Sequence, residues 1–281
     1  MTPNKKVIAL VVSFVIFTAI GMNFNKSERQ TKNVEWIEFL MENSSQSANK
    51  SLGSEEASLM LSQNCNRVSP SVYKELQRYT LDYSYQNEKG ETLWHLCQKS
   101  MVWSTLVAQL KAANISAEVA NKEGKTPWLV AVENDNAAIA KWFKDNGANT
   151  AALDLAGNPA WFLAGPSTHD ALRLWGLDKA DARNYAGQND FIYALSNQKK
   201  ERAKKLFEEG SDLSIRDHRK KTALHYAAST GNVDLTRAIV KRNPEHMYAE
   251  DSRKGKPIDV ASSSTRAILQ EYGDASGRES Q

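Results

Sequence analysis

Thr222-Ala223-Leu224-His225-Tyr226-Ala227 is the stretch whose reading decides the fold, because the chain repeats it. Asn189-Asp190-Phe191-Ile192-Tyr193-Ala194 stands 33 residues before it, and Pro159-Ala160-Trp161-Phe162-Leu163-Ala164 a further 30. Thr126-Pro127-Trp128-Leu129-Val130-Ala131 precedes that by 33, and Thr92-Leu93-Trp94-His95-Leu96-Cys97 by another 34. Downstream, Lys256-Pro257-Ile258-Asp259-Val260-Ala261 follows after 34. Self-similarity at such a period marks a stacked-repeat architecture. One unit cannot bury its own apolar face, so neighbours stack into a continuous core and the terminal units are atypical. Trp94, Trp128 and Trp161 hold the same place in three successive copies. They read as core packing between helices, since large aromatics dominate buried area.

The period and these residues resemble ankyrin repeats, whose signature is Thr-Pro-Leu-His-x-Ala over 33 residues. Thr222, Leu224, His225 and Ala227 match it, with Ala223 in place of Pro. Gly231-Asn232-Val233-Asp234-Leu235 resembles the family's turn and second-helix start. Asn146-Gly147-Ala148 and Glu209-Gly210-Ser211-Asp212 resemble the end of the second helix, where Gly supplies a left-handed C-cap. Unit five is nearest the pattern, unit two is next, and units three, four and six are degenerate. An earlier helix pair near residues 55–66 and 69–80 is expected to cap the array.

The resemblance implies an all-α fold: an ankyrin-like helical repeat solenoid with short loop or hairpin tips, preceded by one N-terminal apolar helix. The expected repeat domain spans residues 55–273, with a disordered tail at 274–281. In the family the signature Thr bonds to the signature His, and Thr92 with His95 and Thr222 with His225 are placed to do so. Pro159 and Asn189 replace that Thr, so units three and four are expected to be looser or to carry a specialised surface.

The resemblance further implies a non-enzymatic binder of a protein partner, monomeric alone and without cofactor. Such arrays bind along loop tips and the exposed side of the first helices. By register, the candidate partner-binding residues are Asn121, Lys122, Glu123, Glu133, Asp217, His218, Arg219, Lys220, Ser229, Asp251, Arg253 and Lys254. No catalytic residue is assigned. His95 and His225 belong to the signature and read as structural. Ser167, His169 and Asp170 are triad members by type, but they sit within four residues, whereas triads assemble from separate parts of a fold. The sequence has no nucleophile elbow, Gly-rich phosphate loop or metal-binding cluster.

Composition fits a binder. The 281 residues carry 36 Lys+Arg against 33 Asp+Glu, both signs interspersed, which argues against a nucleic-acid partner. The N-terminus departs from the rest. Lys5 and Lys6 precede a run without charge at residues 7–22, extending to Phe24 through Asn23. That is near the lower limit for a membrane-crossing helix. The run is either an anchor through residues 7–24 or a signal sequence cleaved near Gly21, and its length favours the anchor. Residues 25–54 read as a polar spacer, a short amphipathic helix at 34–42 and a Ser-rich linker.

A short N-terminus with a Lys pair stays in the cytoplasm, which puts the C-terminal domain on the extracytoplasmic (periplasmic) side. Cys65 and Cys97 lie 32 residues apart, nearly one period. In an oxidising compartment they pair as a disulfide stapling the end of the array; in the cytosol they are two buried thiols. Rival functional readings are an immunity protein neutralising an envelope-acting toxin or hydrolase, and a cytosol-facing scaffold.

Overall fold

The computed structural model describes residues 54–179 and 181–278. The apolar run at 7–24, the spacer and the helix expected at 34–42 lie outside the described residues. Among the described residues, no helix is long and apolar enough to cross a membrane. The described chain falls into two compact units, residues 54–61 with 68–81, and residues 62–67 with 82–278.

The opening helices are α1 (Ser54–Asn64) and α2 (Pro70–Leu76). The array follows as helix pairs: α3 (Leu93–Leu96) and α4 (Trp103–Ala112), α5 (Pro127–Glu133) and α6 (Ala137–Asp145), α7 (Ala160–Leu163) and α8 (Pro166–Leu174). Next come α9 (Asp190–Ser196) with α10 (Lys200–Glu208), then α11 (Ala223–Ser229) with α12 (Val233–Arg242) and a short 3-10 helix, Pro244–Tyr248. The final helix, α13, spans Ser263–Arg278. The regular elements among the described residues are helices, with isolated bridges Gln86–Thr92 and Leu153–Pro159 at the necks of hairpins.

First and second helices differ because their surroundings differ. In α9, Asp190, Phe191, Ile192, Tyr193, Ala194 and Leu195 are all buried, as expected of a helix sandwiched between neighbouring units. In α12 only Leu235, Thr236, Ile239 and Val240 are buried, one stripe of an amphipathic helix. Trp94, Trp128 and Trp161 are core residues. Truncating any large residue of this core costs about 3–5 kcal/mol, since the cavity left behind collapses only partly.

Two features depart from the expected layout. Unit six has no first helix: Lys256–Ala261 forms a turn in which the Lys256 amide donates to the Asp259 carboxylate at 2.7 Å. The tail expected to be disordered from Asp274 is helical as far as Arg278. The buried Ile268 and Leu269 anchor α13, and extending an established helix costs little per residue.

Each unit of the array begins with the same turn. Asn87, Asn121, Asp154, Asn184, Asp217 and Asp251 each accept, on Oδ1, the amides two and four residues ahead, at 2.8–3.1 Å. These Asx turns recur at the signature's own period and set the register of every hairpin.

The structure joins Cys65 and Cys97 in a disulfide, with Cα atoms 5.2 Å apart. Beside it, the Asn66 amide donates to the Leu96 carbonyl at 2.6 Å and accepts the Lys99 amide at 2.9 Å. Segment 62–67 is thereby fastened to the end of the first unit's first helix.

Candidate functional site: a ladder of hairpin tips and a notch at unit three

The hairpin tips are linked into a ladder. Amides of Lys122, Leu155, Tyr185, His218 and Ser252 donate to carbonyls of the preceding tip (Lys89, Glu123, Ala156, Ala186 and Arg219) at 2.8–3.0 Å. The approach is close. A Cβ added at Gly157, whose φ is +75°, would meet the Tyr185 ring at 2.5 Å. The ladder presents two large apolar side chains to solvent, Leu155 at 71% and Tyr185 at 66% exposure. Each packs against the glycine of the preceding tip, Leu155 at Gly124 and Tyr185 at Gly157, and leaves its outer face to solvent.

The structure sorts the expected binding residues into groups. Lys122, Glu123, His218, Arg219, Lys220, Arg253 and Lys254 lie exposed along the ladder. Asn121, Asp217 and Asp251 belong to the turns instead. Asp217 and Asp251 are only 6% and 9% exposed, because their carboxylates hold the hairpin amides. Asp217 also accepts the Tyr226 hydroxyl at 2.6 Å, and burial with this bond pushes that phenol up to about 12. Lys125 reaches both Glu123 at 2.9 Å and Glu133 at 2.7 Å, linking a tip to the end of α5. Ser229 is exposed at the end of α11 and donates to the Tyr226 carbonyl at 3.1 Å. Leu155 and Tyr185 were missing from the sequence reading. Asp154 and Asn184, at the turn period, are the signal that finds them.

Thr92 with His95, and Thr222 with His225, close units one and five. In each, the Thr amide donates to the imidazole Nδ1 at 3.1 Å, leaving Nε2–H to donate to the next hairpin's carbonyl. Those carbonyls are Lys125 at 3.0 Å and Gly255 at 3.1 Å. Burial lowers the pKa of both imidazoles and keeps them neutral.

Unit three is built differently. From the signature's first residue to the second helix, units two, four and five use eleven positions: Thr126 to Ala137, Asn189 to Lys200, Thr222 to Val233. Unit three uses seven, Pro159 to Pro166, so its first helix and loop are short by about one helical turn. The sequence shows this only as the 30-residue interval. Neighbours satisfy the groups left open. Asp135, from unit two, accepts the Thr168 amide at 2.8 Å at the start of α8. The Arg202 guanidinium, from unit four, donates to the Trp161 and Ala164 carbonyls and grips Asp190 at 2.7 and 3.0 Å. Lys199 Nζ lies 3.3–3.4 Å from the Leu163 and Phe162 carbonyls.

The missing turn leaves a notch of about 690 Å³, open on one side. Leu163, Pro166 and Leu206 give it an apolar lining, with Lys199, Lys200 and Lys204 on one flank and Glu133, Glu201 and Glu208 also bordering it. His169 lines it too. This imidazole is 4% exposed and its ring lies 3.8 Å from that of Trp161, yet neither nitrogen has a hydrogen-bond partner. Burial first, then the Arg202, Lys205 and Arg173 charges, lower its pKa to about 4, so it is neutral.

Comparison with known proteins agrees with this geometry. A family model described as ankyrin repeats (3 copies) matches residues 191–271. No curated protein matches the sequence. Among solved structures, the chain is similar to the ankyrin repeat domain of Bcl-3, described as a unique member of the IkappaB protein family. The TM-score is 0.51 at 19% identity, covering 76% of this chain and 97% of that one. The chain therefore has the ankyrin-repeat fold, and residues 191–271 carry the repeats in recognisable sequence. Ankyrin repeats imply a protein-interaction role, and no enzymatic family is indicated. Among the described residues, no group of His, Cys, Asp and Glu is arranged to hold a metal ion.

Proposed function

We propose that this chain is a membrane-tethered binder of a protein partner, displaying its array on the extracytoplasmic side. The observation that carries the binding reading is the ladder, where Leu155 and Tyr185 stand exposed between charged tips at Lys122, Arg219 and Arg253. Apolar anchors with a polar surround are the composition of a protein interface centre. The apolar run at residues 7–24 supports the tether. The Cys65–Cys97 disulfide supports an oxidising compartment and adds about 3–4 kcal/mol by restricting the unfolded chain.

An affinity capture with the full chain tests the binding face. Leu155→Ser with Tyr185→Ser, and separately Arg219→Glu with Arg253→Glu, are expected to lose the partner while the melting temperature stays the same. Retention by both double variants would move the interface off the ladder. A reporter fused to the C-terminus, with mass spectrometry of unreduced protein, tests the compartment: a cytosolic signal and two free thiols overturn it.

A further inference from the structure

We propose that the notch at unit three takes a linear acidic segment of the partner, which sets a carboxylate against Lys200 and Lys204, beside His169. This rests on the protein-binding reading above and adds a second contact to it.

The notch is a consequence of chain length. Where units two, four and five carry another turn of helix, unit three leaves space lined by Leu163 and Pro166. Its volume is in the range of about 300–1,000 Å³ that encloses ligands, but one side is open, which suits a chain segment more than an enclosed molecule.

His169 is the second observation. Leaving a buried polar group unpartnered is unfavourable, and almost all such groups in folded proteins are satisfied. A neutral imidazole has one N–H to give and one lone pair to receive. Both nitrogens are closed to solvent as the ring stands, so a peptide backbone or carboxyl group entering the notch bonds them as the ring turns toward it.

Charge selects the occupant. Arg202 is held by Asp190, Lys205 lies 3.0 Å from Asp170, and Glu133 is held by Lys125. Among the described residues, Lys200 and Lys204 have no carboxylate at ion-pair distance, and Lys199 meets the Phe162 and Leu163 carbonyls and the Tyr193 ring. Glu201 and Glu208 offset part of this charge. Arg202, Lys205 and Arg173 act on the imidazole in the sense that disfavours its protonation, against Asp170. An anionic segment with a small apolar neighbour fits these walls, and a cationic one does not.

The test selects a displayed library of random linear peptides on the purified full chain, then measures binding of the enriched peptides. The expected result is enrichment of Asp and Glu beside an apolar residue, with binding weakened about tenfold or more by Lys200→Glu with Lys204→Glu. Both lysines are exposed and outside the ion pairs, so this variant keeps the fold. Binding is also expected to move the His169 ring resonances in protein labelled at histidine nitrogen, and His169→Leu is expected to weaken it. Peptides without acidic residues, binding unaffected by both variants, or no enrichment at all overturns the notch proposal. So does inorganic phosphate moving the His169 ring where no peptide does. Each of these leaves the ladder reading to its own capture experiment, so the two fail separately.

Discussion

Unit five closes its first helix with its own residues, Thr222 and His225, whereas unit three has Pro159 at that register and is closed by Arg202, Lys199 and Asp135 from its neighbours. The first arrangement is local: one imidazole takes the Thr amide and reaches the next hairpin. The second is distributed over three units. Between them runs a buried polar chain, in which Asn158 donates to Asp154, Asn184 to Asn158 and Gln188, Gln188 to Tyr226, and Tyr226 to Asp217. Units three and four are thus held by bonds between side chains of neighbouring units. Asn189 still caps α9, accepting the Ile192 amide at 2.9 Å. What unit three gave up is a turn of helix, and what it gained is a recess.

The sharpest way to break this comparison is Arg202→Met. It leaves the buried Asp190 without its partner and two carbonyls without donors, and is expected to destabilise by about 3–5 kcal/mol in urea unfolding. A loss under 1 kcal/mol, the level expected of an exposed pair, would mean unit three does not depend on unit four.

Acid comes next. His169 titrates at about 4 in the fold and near 6.5 when unfolded, so the unfolded chain binds the proton first. The stability this group contributes is complete above pH 6.5 and is lost as pH falls to 4, about 3 kcal/mol in all. His95 and His225, also lowered by burial, act in the same direction. His169→Leu is expected to flatten that part of the profile, leaving the slope from the two signature imidazoles. An unchanged profile would show that His169 already meets water in the fold.

Thr222→Val tests the local lock. Removing the hydroxyl while keeping the shape is expected to cost about 1–2 kcal/mol and to leave the notch peptides bound as before. The smallest effect is at the tips. Lys220 and Lys254 have φ of +60° and +64°, at the position where the earlier hairpins carry Gly90, Gly124, Gly157 and Gly187. Lys220→Gly and Lys254→Gly are each expected to raise stability by about 0.5–1 kcal/mol. If partner capture falls at the same time, those lysines are held in the left-handed conformation by binding rather than by folding.

How much of this was legible beforehand depended on how far apart the interacting residues lie. The repeat period, the Thr–His pairs and the buried tryptophans were readable because each is fixed by spacing within one or two units. The turn residues were readable in kind but misassigned in role. An Asp at a loop tip reads as a surface charge, and only its two amide bonds show Asp217 and Asp251 to be buried.

The sequence by itself determined that six copies of one signature must stack, since no single copy can bury its apolar face. Tertiary structure alone decided where the shortened interval falls, which neighbour supplies the missing hydrogen bonds, and that His169 stands unpartnered beside open space. Those facts depend on side chains brought together from more than thirty residues away, and a spacing of 30 instead of 33 gives no direction in space.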